Sequence, residues 1–376
     1  MEMEIYILKT IKKIRKETPR RFKELRASCD SLVETLSERL KIDDEKEDED
    51  ADKYFDILQA ACETKQPKLM DISLEAMKFL IDHAYLRGNK RILVPNPKPT
   101  EDGELKSERR ILMDLVIETV AKCADEFDDV VHSQVISVFV AAITSSVCQV
   151  HEASLILAVG SCINIHLVTR NQPNKNASKA ALIQILSVVF FRMETFDARA
   201  KMETEAALAA LGKSNENDSG PNRLPGPSVP CGEAMYPDVY GHLGYKPSGG
   251  TPTPFAGFDS AVATIGHVFP SILHKDAFLI FRALCKLSMK NIQDDGTEPY
   301  SLPNKILSLE LILHILEHSG PAFKSGDKFI LAIRQYLCVS LLDNCTSQNT
   351  KVVGLSLQVF VALLNGFKDH LKAELE

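Results

Sequence analysis

One pair of histidines has a spacing that could serve chemistry. His314 and His318 stand four residues apart within an apolar helical pattern, so both rings lie on one face of a helix and could hold a metal ion. No second pair of ligands follows nearby, and a polar helix face explains the same spacing. We therefore predict no metal centre and no cofactor.

The remaining reactive side chains show no catalytic pattern. Nine cysteines are scattered, mostly inside apolar helical stretches, and no two form a C-x-x-C pair. We expect them to be reduced packing residues, and Cys338 to lie in the core. Glu152, Glu194 and the other carboxylates fall at helix ends or outer faces, with nothing to mark a pair of raised pKa. No phosphate-binding glycine loop, G-x-S-x-G or H-E-x-x-H sequence occurs, so the residues provide no basis for catalysis.

The composition is that of a soluble globular protein. The 376 residues are 45% hydrophobic and 25% charged. No stretch approaches the roughly 20 unbroken apolar residues of a membrane span. The N-terminus lacks the pattern of a secretory signal, which predicts a cytoplasmic protein. The net charge of −7 argues against binding of nucleic acid, because phosphate binding requires concentrated positive charge.

The stretch 151–194 predicts two helices joined by a polar turn. From Leu182 to Met193, apolar residues recur at i, i+3, i+4, i+7, i+8 and i+11, the spacing of one helix stripe. From Leu155 to Leu167 there is hardly any polar face. We expect this first helix to form the interior of a helical stack, with a surface for self-contact as the alternative.

Similar helical patterns fill most of the chain, and sustained period-two alternation is nearly absent. Short turns force neighbouring helices to be antiparallel, so we predict an all-α fold, an α-solenoid of the armadillo or HEAT type. The polar segment 89–107 is expected to be an exposed, mobile loop. We predict a helical domain at 1–211, a disordered linker or insertion rich in Gly, Pro, Ser and Asn at 212–253, and a second helical domain at 254–376.

Residues 1–41 predict one or two helices, in which basic residues are interleaved with apolar ones. An amphipathic basic helix can lie on an anionic membrane surface or bind an acidic partner. A solvated outer face on the first helix of a stack is the commoner cause of such a run. The candidate residues for this surface are Lys12, Lys13, Arg15, Lys16, Arg20 and Arg21.

Five stretches carry a family resemblance, namely 63–89, 151–194, 275–288, 305–323 and 332–344. In this order they resemble the N-terminal region of the large Golgi guanine-nucleotide exchange factors for Arf GTPases, of the brefeldin-A-inhibited (BIG) type. The resemblance implies a dimerisation and cyclophilin-binding domain, followed by the start of the homology-upstream domain. The family's catalytic exchange module and its Asn-Tyr-Asp-Cys box have no counterpart here. The chain thus resembles a truncated regulatory half that does not exchange nucleotide by itself.

The resemblance also implies partners. They are activated Arf or Arf-like small GTPases, a second copy of the chain, the remainder of the exchange factor and trans-Golgi membranes in vesicle trafficking. A GTPase usually offers an apolar switch surface, which calls for aromatic and aliphatic side chains edged by Arg or Lys. Candidates off the main helix stripes are Phe79, His83, Tyr85, Arg109, Arg110 and Met113.

These candidates have a plainer explanation as well. Phe79 and Met113 can equally be core residues, and the two arginines can be ordinary solvated side chains. The alternative function is a generic helical-repeat adaptor, of the importin or coat type, without a preference for a GTPase.

Overall fold

The structure is a computed structural model, which describes residues 2–41, 50–95, 107–212, 269–290 and 300–371. Within these ranges helices dominate, which confirms the predicted all-α class. The helices form two compact units. Unit 1 holds the described residues of Met1–Val188 and Ile292–Asn304, and unit 2 those of Val189–Ser248, Pro252–Asn291 and Lys305–Glu376.

The described part of unit 1 contains seven α-helices, the first part of an eighth, one 3₁₀ turn at Asp52–Tyr54 and two short strands. In chain order the α-helices and strands are α1 (Glu2–Glu17), α2 (Lys23–Arg39), α3 (Phe55–Glu63), α4 (Pro67–Asp82), β1 (Arg91–Pro95), β2 (Ser107–Ile111), α5 (Leu112–Cys123), α6 (Asp129–Thr144), α7 (Glu152–Val168) and α8 (Gln172–Gly212). Helix α4 packs against α1, α3 and α6, and α5 packs against α3, α6 and α7. The predicted helical pair at 151–194 corresponds to α7 and the first part of α8.

Helix α7 lies in the interior of unit 1, as its lack of a polar face predicts. Leu155, Val159 and Ile163 are buried within the single chain, and so are Cys162 and Ile165. The alternative, a surface for self-contact, stays a prediction, since Ala153, Leu157 and Val168 on one side of this helix are half-buried.

The prediction of a loop at 89–107 is wrong in its first part. Strand β1 pairs with β2 in antiparallel fashion, from Arg91 opposite Ile111 to Pro95 opposite Ser107. The aliphatic run Ile92–Val94 suits a strand, but it is too short to show period-two alternation in the sequence. Residues 96–106 lie outside the described part of the chain.

The described part of unit 2 contains the second part of α8 and all the remaining helices, except residues 301–304 at the start of α10. These are α9 (Ile272–Met289), α10 (Ser301–His318), α11 (Pro321–Ser325), α12 (Asp327–Ala332), α13 (Cys338–Cys345) and α14 (Thr350–Phe367), with one π-helical turn at Ile333–Leu337. Its centre is a cluster of phenylalanine rings, with centroids 4.8 to 6.5 Å apart and mostly edge-on contacts. The cluster contains Phe190, Phe278, Phe281, Phe323, Phe329 and Phe367.

Helix α14 is apolar on two faces. Its buried side chains are Val352, Ser356, Val359, Leu363 and Phe367. On the other face Leu357, Phe360, Val361 and Leu364 are between 36% and 53% exposed. Among the described residues this is the one helix whose length and hydropathy would allow it to cross a membrane, and a third of its 18-residue window is buried in the molecule. Length and hydropathy alone are weak indicators, because core helices share them.

The predicted domain limits remain predictions. Helix α8 runs to Gly212, whereas residues 213–268, which include most of the predicted linker and the start of the second helical domain, lie outside the described part. The boundary between the two compact units falls earlier, between Val188 and Val189 within α8.

Candidate partner-binding surface

Four aromatic side chains form a continuous stack on the surface of unit 1, which we call the aromatic ladder. Tyr6 stacks on Phe79 with ring centroids 3.8 Å apart. Phe79 lies 4.1 Å from His83, and His83 lies 5.9 Å from Tyr85. The structure therefore brings together three of the predicted partner-binding residues and adds Tyr6. No sequence pattern pointed to Tyr6, because it belongs to a helix distant in the chain.

Two helices and one turn position the ladder. Helix α1 buries its apolar stripe, and Tyr6 lies beside that stripe, against Phe79 of α4. At the end of α4 the His83 ring nitrogen Nδ1 lies 2.8 Å from the carbonyl oxygen of Phe79. Ala84 then takes a left-handed conformation with φ of 58°, which places Tyr85 next to His83. The turn closes on backbone hydrogen bonds to Leu80 O, as helix ends commonly do.

Charged pairs border the ladder. Lys13 Nζ lies 3.6 Å from Glu75 Oε2, which joins α1 to α4. Burial, and next the Glu75 carboxylate, raise the pKa of Tyr6 above its ordinary value, so its hydroxyl stays protonated. An apolar centre with a charged rim is the usual composition of a protein interface.

Two of the other three predicted partner residues do not join the ladder. Met113 is 0% exposed and packs against Gly88, so its assignment to a binding surface is wrong. Arg110 is mostly buried in an ion pair with Glu118, which uses its charge within unit 1. Arg109 lies in β2, opposite Leu93, and its side chain is outside the described part.

Two of the basic residues of the N-terminus form ion pairs. Lys13 pairs with Glu75, and the Arg15 Nε atom donates to Asp30 Oδ1 at 2.6 Å. Lys12, Lys16, Arg20 and Arg21 are exposed. The apolar stripe of α1 is buried in unit 1, against α2 and α4, so in this packing the stripe is not available for insertion into a membrane. A charge-based contact remains available.

Two of the buried cysteines are held in the protonated form. Burial raises the pKa of the Cys29 thiol to about 11 and of the Cys162 thiol to about 12, which keeps both protonated. Cys338, predicted in the core, is half-buried. The rings of His314 and His318 stack 4.3 Å apart. Within the described ranges no group of three or more His, Cys, Asp or Glu side chains could hold a metal ion.

Comparison with known proteins identifies two domains. The family described as "Mon2/Sec7/BIG1-like, dimerisation and cyclophilin-binding domain" matches residues 4–197. The family described as "Mon2/Sec7/BIG1-like, HUS domain" matches residues 273–376. The first match covers nearly all of unit 1 from α1 to α7 and includes every residue of the aromatic ladder.

Relatives from animals, plants and fungi resemble most of the chain. Brefeldin A-inhibited guanine nucleotide-exchange protein 1 of Rattus norvegicus is 29% identical over 458 residues, which cover 87% of this chain and 24% of the relative. Brefeldin A-inhibited guanine nucleotide-exchange protein 2 of Arabidopsis thaliana is 28% identical over an alignment that covers 87% of this chain and 20% of the relative. The ADP-ribosylation factor guanine nucleotide-exchange factor sec71 of Schizosaccharomyces pombe is 28% identical over an alignment that covers 85% of this chain and 17% of the relative.

The chain thus spans less than a quarter of the length of these relatives. Neither matched domain is the catalytic exchange module. The order of the two domains agrees with the resemblance of the five sequence stretches. The chain belongs to the Mon2/Sec7/BIG1-like family, as an N-terminal region of a BIG-type Arf exchange factor.

Proposed function

We propose that the chain is a non-catalytic regulatory scaffold of a large Arf exchange factor. In this role it dimerises, binds an activated Arf or Arf-like GTPase, contacts the remainder of the exchange factor and is recruited to trans-Golgi membranes from the cytoplasm during vesicle trafficking. The observation that carries the proposal is the aromatic ladder within the domain matched at 4–197.

The ladder suits the switch region of a small GTPase for two reasons. Its rings are held by stacking and by the fixed end of α4, so they lose little conformational freedom when a partner binds. Aromatic side chains with an apolar body and a polar edge, such as Tyr85 and His83, often dominate interface energies. The pairs Lys13–Glu75 and Lys78–Asp82 supply both signs of charge nearby.

A pull-down with GTP-loaded and GDP-loaded Arf-family proteins tests the proposal. We expect the GTP-loaded form to be retained, and the double substitution His83→Ala with Tyr85→Ser to weaken retention at least tenfold, about 1.4 kcal/mol. Phe127→Ala is the matched control, because Phe127 is an aromatic residue of unit 1 that is 81% exposed and lies outside the ladder.

One outcome would count against this function, and another would count against the ladder as its site. Equal binding of both nucleotide states would favour the generic helical-repeat adaptor of the importin or coat type. Binding to the GTP-loaded form that survives the ladder substitutions but not the Phe127 control would place the GTPase elsewhere on unit 1.

Membrane recruitment has a separate candidate surface in the exposed basic residues Lys12, Lys16, Arg20 and Arg21. Basic side chains near an anionic bilayer contribute about 1 kcal/mol each. We expect the chain to float with vesicles that contain phosphatidylserine, and Lys12→Glu with Lys16→Glu to reduce this binding. The control is Lys68→Glu with Lys122→Glu, which makes the same charge change at exposed lysines of α4 and α5. Equal loss in both variants would show a net-charge effect and no specific membrane surface.

A further inference from the structure

The second part of α8, residues 191–208, is a helix with little cover, and we call it the α8 tail. From Thr195 to Leu208 every residue except Asp197 is exposed. The large apolar side chains of Phe191, Met202 and Leu208 are 70%, 71% and 64% exposed. A helix of this length, about 27 Å at 1.5 Å per residue, normally buries its apolar stripe against a neighbour.

The α8 tail has one stripe suited to close contact with another helix. Phe191, Thr195, Ala198, Met202 and Ala206 follow at i, i+4, i+7, i+11 and i+15, so they share one face. Small side chains stand on both sides of Met202 along this stripe. Short side chains allow two helix backbones to approach closely.

Charged residues line both sides of this stripe, and the order of their charges along the chain is the same on each side. Arg199 and Glu203 lie on one side, and their side chains pair at 2.8 Å within the helix. Lys201 and Glu205 lie on the other side. On each side the basic residue comes first along the chain and the acidic residue follows.

This order of charges is complementary to itself when two copies of the helix run antiparallel, but not when they run parallel. When two copies of a helix run antiparallel about a two-fold axis, the same side of each helix meets its equivalent in reversed order. With the axis at Met202, Arg199 of one copy faces Glu203 of the other, and Lys201 faces Glu205. In a parallel pair the opposite sides meet, and Arg199 would face Lys201.

We propose that the α8 tail pairs antiparallel with the α8 tail of a second copy of this chain, about a two-fold axis at Met202. The inference rests on the self-association included in the proposed function and assigns it to a surface. The contact is small compared with a standard interface, so the dimer should depend on concentration and salt.

Charge reversal tests the pairing. Arg199→Glu with Lys201→Glu gives one variant whose tail is acidic, and Glu203→Lys with Glu205→Lys gives another whose tail is basic. We expect each alone to show at least a tenfold larger dimer dissociation constant by sedimentation velocity, and an equimolar mixture to regain the wild-type constant. Circular dichroism verifies that the helix content is unchanged. Glu34→Lys with Glu38→Lys on α2 is the control, because it changes the charge of two other exposed glutamates.

A cross-link tests the position of the axis. Met202→Cys should form a covalent dimer under mild oxidation, with mass spectrometry locating the bond between the two copies of position 202. Thr204→Cys, on the opposite face of the helix, should not. Replacement of Cys345, an exposed native cysteine, by serine removes a competing thiol.

The outcomes separate this inference from the proposed function. A wild-type chain that dimerises while both charge-reversed variants dimerise equally would overturn the pairing and leave the scaffold function standing. Preferential cross-linking through Thr204→Cys would overturn the position of the contact. A wild-type chain that stays monomeric at all concentrations would contradict both the pairing and the proposed self-association.

Discussion

The carboxylate of Glu194 accepts hydrogen bonds from the backbone N–H groups of Ala322 at 2.8 Å and Phe323 at 2.9 Å, at the first turn of α11. A carboxylate at a helix N-terminus satisfies backbone donors that have no partner inside the helix. Gly320 permits this approach, because a Cβ atom there would lie 2.7 Å from the Glu194 side chain. The sequence places Glu194 only at the end of an apolar stripe, and a hydrogen bond to residues so distant in the chain leaves no local pattern.

Replacing this carboxylate should weaken unit 2. We expect Glu194→Ala to lower the free energy of unfolding by about 1–2 kcal/mol, the usual cost of a lost helix cap. Urea denaturation followed by circular dichroism measures the change. Glu317→Ala, at an exposed position of α10, should stay within about 0.5 kcal/mol of the wild type. Equal effects of the two substitutions would show that the cap contributes nothing.

The single residue His274 makes the stability of unit 2 depend on pH. Its Nδ1 atom lies 2.9 Å from Ser271 Oγ, and its Nε2 atom lies 3.9 Å from Asp197 Oδ1. Burial lowers the pKa of this imidazole below the ordinary 6.5, and the charges of Asp197 and Glu194 offset only part of the effect. The unfolded chain therefore takes up a proton at a higher pH than the folded chain does.

It follows that the stability provided by neutral His274 is fully present above about pH 6.5 and declines as the pH falls towards the lower folded-state pKa. We expect urea midpoints of the wild type to fall between about pH 7.5 and about pH 5.5 more steeply than those of His274→Gln. His370→Gln, at an exposed histidine, is the control for the loss of one imidazole. Identical slopes for wild type and His274→Gln would contradict this assignment.

At the scale of elements, long apolar stripes predicted the helices well. The stripe from Leu182 to Met193 and the apolar helix α7 both appear as expected, because each turn of a helix repeats the same burial. The short β1–β2 pair was missed, since five residues per strand carry too little pattern. Three residues of the aromatic ladder, Phe79, His83 and Tyr85, could be picked out from the sequence because they lie off the apolar stripe of α4. Tyr6 could not, because packing between α1 and α4 decides its neighbour.

The turn after α4 provides a test at this scale. Gly88 has a φ of +64°, and a Cβ atom at this position would lie 2.7 to 2.9 Å from Met113. We expect Gly88→Ala to destabilise unit 1 by about 2–4 kcal/mol, from backbone strain and overlap together. Gly354→Ala in α14 meets nothing within 4 Å and should stabilise by about 0.5–1 kcal/mol through helix propensity. Thermal unfolding measures the effect, and we expect a lower melting temperature for Gly88→Ala and a higher one for Gly354→Ala.

At the scale of the whole molecule, the two matched domains do not include the catalytic exchange module. We expect no acceleration of labelled-nucleotide release when the chain is added to an Arf protein at any concentration. An exchange domain from a brefeldin A-inhibited relative, assayed in parallel, provides the positive control. Accelerated release by the chain alone would contradict its assignment as a regulatory part.

The apolar outer face of α14 has a practical consequence for anyone who purifies the protein. Between Lys351 and Lys368 that helix carries no charged side chain, and four of its large aliphatic or aromatic residues contact water. Such a patch adheres to phenyl-substituted resin in ammonium sulfate and releases late as the salt is withdrawn. A single Leu357→Lys exchange should make the protein elute earlier from the column.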